Sequence, residues 1–121
     1  MKLLLIALAS ICTSVLAQFL LKAGMSSDGV RQALAGTSRL GTALAIVGSP
    51  SVIGGFVLYA LGAVLWLAVL AKWDVSKAYP LVGLGFVLSL GIGWLSGESV
   101  SAMRVVGVAL IATGVWVVSR T

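Results

Sequence analysis

Histidine is absent from the 121 residues, cysteine occurs once, and acidic residues occur only three times. With Cys12, Asp28, Asp74 and Glu98 scattered along the chain, no side chains have the spacing of a metal site and no nucleophile–base pair can be assembled. The chain is therefore expected to be no enzyme, to hold no metal and to need no cofactor. A lone cysteine also excludes an internal disulfide; Cys12 lies within an apolar run and reads as a small buried hydrophobe. Charge is scarce as well, at 9% of residues against about 25% in soluble domains. The eight Lys and Arg give a net charge of +5, yet they sit at the ends of apolar runs or between them. That leaves no polar face for nucleic acid, and suits contact with anionic headgroups of membrane lipids. Of the two prolines, Pro80 stands in the first turn of an apolar run, where a missing N–H costs little, and Pro50 closes a Gly48-Ser49-Pro50 punctuation before another.

Apolar residues make up 60% of the chain, and the mean hydropathy is +1.18. Four stretches, 3–22, 51–71, 78–97 and 103–119, approach the roughly 20 residues that cross a bilayer. They predict one all-α membrane domain over residues 1–121 with four transmembrane helices. Met1-Lys2 followed by an apolar run and Val15-Leu16-Ala17 imitates a signal peptide. The apolar run continues to Leu21 and three more spans follow, so the first helix is expected to be retained. Four spans put Lys2, Lys72, Lys77 and Arg120 on one side and Lys22, Arg31, Arg39 and Arg104 on the other. The even tally assigns no orientation. Either both orientations insert and pair antiparallel, or a partner or the long loop fixes one.

The long loop has its own pattern. Met25 to Gly29 is a turn, and 30–47 then has a helical period. Val30, Ala33, Leu34, Leu40, Leu44 and Val47 fall within an arc of roughly 140° opposite Arg31, Ser38, Arg39 and Thr42. The expectation is one amphipathic helix lying in the headgroup plane, weakened at Gly36 and Gly41; the alternative is an extension of the second span.

Ser10, Ser14, Gln18 and Lys22 recur every fourth residue along an otherwise apolar first helix, so they form a slowly turning stripe on one face. Such groups lack partners in lipid and should face the protein interior. They either line a path or hydrogen-bond a neighbouring helix. In the second span Tyr59, Gly62, Ala63 and Trp66 share a face, and the two aromatics are deep enough to line a cavity as well as to pack. In the third, Gly85, Ser89, Gly93 and Gly97 recur every fourth residue; the fourth carries Gly107, Ala109, Thr113 and Gly114. Small residues at such spacing admit a close neighbour helix, and Gly85, Ser89, Gly93, Gly107 and Gly114 are expected to pack a dimer. Paired glycines also ease a kink.

Lys77-Ala78-Tyr79-Pro80, Gly83-Leu84-Gly85-Phe86-Val87, Gly97-Glu98 and the run from Gly107 to Val115, in this order on four spans, resemble the drug/metabolite transporter superfamily. The similarity is to its four-helix, small-multidrug-resistance-like (EamA-like) branch. The Ser-Lys-Ala-Tyr-Pro motif and Gln18 bring the chain nearest to subunits of flippases for undecaprenyl-phosphate-linked aminoarabinose. Residues 26–50 lie outside the resemblance. Small multidrug exporters carry a glutamate in the first helix where this chain has Ser14, and no span interior here holds a carboxylate. A site without negative charge cannot neutralise a lipophilic cation.

The resemblance implies a dimeric carrier, homo- or heteromeric, in a bacterial cytoplasmic (inner) membrane. Its substrate would be a neutral or amino sugar on a polyprenyl phosphate, important in lipid A modification. Ser14, Gln18, Tyr59 and Tyr79 would escort the headgroup, Lys22 and Arg104 would hold the phosphate on one side, and Lys77 would meet it on the other. Glu98 would cap the fourth helix. The alternatives are an exporter of small molecules and a non-transporting partner of a glycosyltransferase.

Overall fold

The computed structural model describes residues 2–121, and among these all regular structure is helical. Helix α1 spans Lys2–Met25, α2 Asp28–Ala35, α3 Arg39–Val47 and α4 Pro50–Leu70. The third span is composite: α5 (Val75–Ala78), a 3-10 stretch (Tyr79–Gly83) and α6 (Leu84–Leu95) run end to end. Helix α7 spans Ala102–Ser119. Four helical stretches, Lys2–Met25, Pro50–Leu70, Val75–Leu95 and Ala102–Ser119, are long and apolar enough to cross a membrane. The molecule is a multi-pass membrane protein, and its many exposed Leu, Val and Phe side chains are what a hydrocarbon solvent permits.

Helix α1 is the central element. Ala7, Ile11 and Val15 form the core with Val69 of α4, Ala78, Leu81 and Val115 of α7. The tightest packing is the antiparallel seam between α1 and α4. Ser10 lies opposite Gly62 and Ala17 opposite Gly55, seven residues apart on both helices. A β-carbon on Gly62 would stand 3.2 Å from the Ser10 carbonyl oxygen, and one on Gly55 3.1 Å from that of Ala17. At the end of the seam, a β-carbon on Gly24 would collide with Val52. Hydrocarbon supplies no hydrophobic drive between helices, so backbone approach through small residues is what holds such a pair. The Ser10 hydroxyl adds to it, donating a 2.6 Å hydrogen bond to the Gly62 carbonyl.

The expected small-residue stripes divide on inspection. Gly85 and Gly93 are buried within the chain: Val15 and Ile11 lie 3.3 and 3.4 Å from a β-carbon on Gly85, and the Glu98 carboxylate covers Gly93. Gly107 and Gly114 have open space beside them. Glu98 does not cap α7, contrary to expectation. Ser101 does, accepting a 3.1 Å hydrogen bond from the Arg104 backbone N–H; Glu98 lies three residues too early and folds back over Gly93.

The single amphipathic helix expected over 30–47 is instead a hairpin of α2 and α3, broken at Gly36-Thr37-Ser38. Ser38 caps α3 by accepting from the Gly41 N–H at 3.1 Å. The Thr42 hydroxyl lies 2.9 Å from the Ala33 carbonyl and 3.0 Å from that of Ser38, tying the two helices. A capping serine followed by this cross-link makes the break a defined turn.

Candidate functional site

The α1–α4 seam turns one stripe of α1 toward a cavity of about 450 Å³, within the range of ligand sites in proteins. Helix α1 contributes Ser10, Ile11, Ser14, Val15 and Gln18; α4 contributes Tyr59, Gly62, Ala63 and Trp66; the third span contributes Tyr79, Val82, Gly85, Phe86 and Ser89. The second-span face read from the sequence is therefore a continuous cavity wall. Both α4 and α6 pack against α1 rather than against each other, so α1 forms the floor of a trough with α4 and the third span as its sides.

The composite third span shapes its wall. A 3-10 helix has three residues per turn, so side chains three apart eclipse one another. Tyr79 and Val82 consequently stand one above the other on the cavity. From Leu84 on, the α-helical period takes over, and Gly85, Phe86 and Ser89 continue the lining. The motif Ala-Tyr-Pro followed by glycines was legible as a span start; its 3-10 winding was not.

Of the expected substrate-contacting residues, the structure brings Ser14, Gln18, Tyr59 and Tyr79 together on this cavity. The first-helix stripe grades along its length: Ser10 is buried, Ser14 half-buried, Gln18 and Lys22 exposed. The hydroxyl of Ser10 is committed to Gly62, which realises the helix-bonding alternative for that residue. Ser89, expected at a contact between copies, lines the cavity. Trp66, half-buried, is the largest lining side chain. The three cations stand apart. Lys22, Lys77 and Arg104 are all exposed and none lines the cavity. Lys77 Nζ lies 5.0 Å over the Trp73 ring, and an Arg104 guanidinium N–H donates to the Ser99 carbonyl at 3.0 Å. Chain direction puts Lys22 and Arg104 at one end of the spans and Lys77 at the other.

The lining is chemically uniform in one respect: it contains hydroxyls, an amide, aromatic rings and aliphatic groups, and no Asp, Glu, Lys or Arg. Among the described residues no cluster of metal-binding side chains occurs. Such a cavity can donate and accept neutral hydrogen bonds and stack aromatic faces, and it has no strong base with which to move a proton.

Several curated proteins are similar to this chain. A probable 4-amino-4-deoxy-L-arabinose-phosphoundecaprenol flippase subunit ArnF from Proteus mirabilis is 34% identical over 119 residues, which is 94% of this chain and 89% of that protein. A probable subunit ArnE of the same flippase from Pseudomonas savastanoi pv. phaseolicola is 43% identical over 61 residues, 50% of this chain and 54% of its own length. For an ArnE from Pseudomonas syringae pv. syringae the match is 40% over 60 residues, 49% of this chain and 56% of that one. Against these two ArnE proteins the chain spans about half of their length. No family model matches the chain, and no solved structure does.

Proposed function

The chain belongs to the family of 4-amino-4-deoxy-L-arabinose-phosphoundecaprenol flippase subunits, and from that premise we propose that it carries a polyprenyl-phosphate-linked sugar across a bacterial cytoplasmic (inner) membrane, as one subunit of a dimer. The observation that carries this reading is the convergence of Ser14, Gln18, Tyr59 and Tyr79 on a mid-span cavity without charge. The polar headgroup crosses inside that trough, and the isoprenoid chain stays in the bilayer beside it. Because α4 meets the third span at its α5 end while α4 and α6 each pack on α1, a lipid can pass its head in sideways between α4 and α6 while its tail remains in hydrocarbon.

The phosphate remains near the rim. Lys22 and Arg104, at one end of the spans, receive it there, and Lys77 meets it at the other. In an antiparallel dimer the partner's Lys77 would join Lys22 and Arg104. The partner docks on α7, of which Val115 alone is buried and whose Gly107 and Gly114 admit a close helix. The α2–α3 hairpin lies in the headgroup plane, where exposed Leu34, Leu40, Leu44 and Val47 can dip into the acyl boundary and Arg31 and Arg39 can meet anionic lipid.

The test is capture and translocation of a glycosylated polyprenyl phosphate by the full chain, with its partner subunit where one is required, in proteoliposomes. Loss of two charge-assisted phosphate contacts in a Lys22→Ala, Arg104→Ala double variant should weaken capture by about tenfold or more. Unchanged capture by a folded double variant would overturn the phosphate assignment. Absence of any lipid movement by the wild-type assembly would overturn the carrier role.

A further inference from the structure

Along the α4 wall of the cavity, two aromatic residues bracket two small ones. Tyr59 and Trp66 are seven residues apart, about 10 Å along the axis, and Gly62 and Ala63 lie between them on the same lining face. Helical side chains lean toward the N-terminal end of their helix. Trp66 therefore leans over Gly62 and Ala63, where nothing bulky stands, while Tyr59 leans away from them. The result is a niche with a floor of two small residues and an indole at one end. Gly62 also fixes what faces the niche from α1, since a β-carbon there would stand 2.8 Å from the Ser14 hydroxyl. Resting on the flippase reading above, we propose that this niche seats the sugar ring of the headgroup, with Trp66 as its stacking platform and Ala63 as the residue that sets the room above the floor.

A glycosyl ring is polar around its rim and carries an apolar C–H face that is weakly positive. An indole presents a broad, negative face, so the two match whether the ring bears hydroxyls alone or an amine as well; an ammonium is also drawn to such a face. A platform must hold its own orientation, because ordering it on binding would cancel part of the gain. Trp66 is half-buried and packs against the core cluster around Ile11 and Val69, so one part of the ring is held while another meets the cavity. Ser14 and Gln18, one turn apart on α1, then face the polar rim of a sugar so seated. Ala63 differs from Gly62 in being exposed; enlarging it fills the niche and leaves the α1–α4 seam alone. All of these groups belong to one chain, so the niche is built without a second subunit.

The experiment is native mass spectrometry of the purified full chain, offered polyprenyl monophosphates of equal chain length with and without a pentose. The readout is the ratio of glycosylated to bare lipid retained, since a general loss of fold or of phosphate contact moves both lipids together. The wild-type chain should favour the glycosylated lipid. Trp66→Leu should reduce that ratio about three- to tenfold, the range of one aromatic stacking contact, with bare lipid retained as before. Trp66→Phe, which keeps a π-face, should recover most of the ratio. Ala63→Leu should lower the ratio to a similar degree by filling the niche, and it decides the matter without touching the indole should Trp66→Leu fail to fold. A wild-type ratio in folded Trp66→Leu or in Ala63→Leu, or equal loss of both lipids in these variants, overturns the niche and leaves the flippase reading standing. No preference for the glycosylated lipid in the wild-type chain overturns both.

Discussion

Gly54 and Gly55 are neighbours on one helix at nearly the same depth, yet an added methyl group should affect them in opposite ways. At Gly55 the new β-carbon would stand 2.8 Å from the Leu21 side chain and 3.1 Å from the Ala17 carbonyl oxygen. Leu21 can rotate away; the carbonyl belongs to the α1 backbone and cannot move without the helix. At Gly54 the nearest atom is Leu21's neighbour Leu20, whose Cδ1 lies 3.8 Å away in ordinary contact. Both substitutions gain about 1 kcal/mol of helix propensity. Only Gly55→Ala meets an overpacking cost of about 1–3 kcal/mol. Gly54→Ala should thus be neutral or stabilising by up to about 1 kcal/mol, and Gly55→Ala less stable than it by about 1–3 kcal/mol. Because propensity and membrane depth cancel between the pair, the difference isolates the α1–α4 approach. Unfolding of purified protein in mixed micelles by increasing sodium dodecyl sulfate, followed by near-UV circular dichroism of the tryptophans, measures it. Equal midpoints for the two variants would refute the assigned register, and with it the direction in which Ser14 and Gln18 face.

Two further substitutions separate structure from function. Ser10→Ala removes the 2.6 Å bond to Gly62 and should lower stability by about 0.6 kcal/mol, as for typical polar contacts between membrane helices, with glycolipid capture unchanged; Ser14→Ala should weaken capture with little effect on the unfolding midpoint. Gly114→Leu, on the unpacked face of α7, should convert dimer to monomer in cross-linking or native mass spectrometry, whereas Gly91→Leu, which also faces open space but on α6, should leave assembly intact.

The four spans were legible because about 20 apolar residues in a row admit few other structures. In the structure Pro50 stands in the first turn of α4, where its missing N–H costs little. The polar stripe on α1 and the Tyr59–Trp66 face were legible for a related reason: in lipid, polar and amphipathic side chains at helical spacing must turn inward. Which glycines allow close contact was not legible. Gly55 and Gly62 owe their role to what stands across from them, and that depends on a register between helices that periodicity on one helix cannot set. The more conspicuous four-residue repeat of Gly85, Ser89 and Gly93 is used three ways, against α1, on the cavity and under Glu98. The hairpin of α2 and α3 was hidden because its apolar arc runs on in phase across the break at Gly36. The resemblance located the family, and the absence of an acid near Ser14 was plain in the sequence; that Ser14, Gln18, Tyr59 and Tyr79 meet on one surface needed the three-dimensional arrangement.

The five residues from Tyr79 to Gly83 are wound at about 120° and 2.0 Å per residue, against about 100° and 1.5 Å in an α-helix. Rewinding that stretch would turn Tyr79 by about 100° relative to α6 and draw it about 2.5 Å along the axis. Pro80 has no N–H to place in either form, so it raises no donor-side objection to the change. A quarter turn would take the phenol out of line with Val82 and open or close one side of the trough. The backbone there would act as a short screw thread, in which a small axial travel is exchanged for a large swing of one ring.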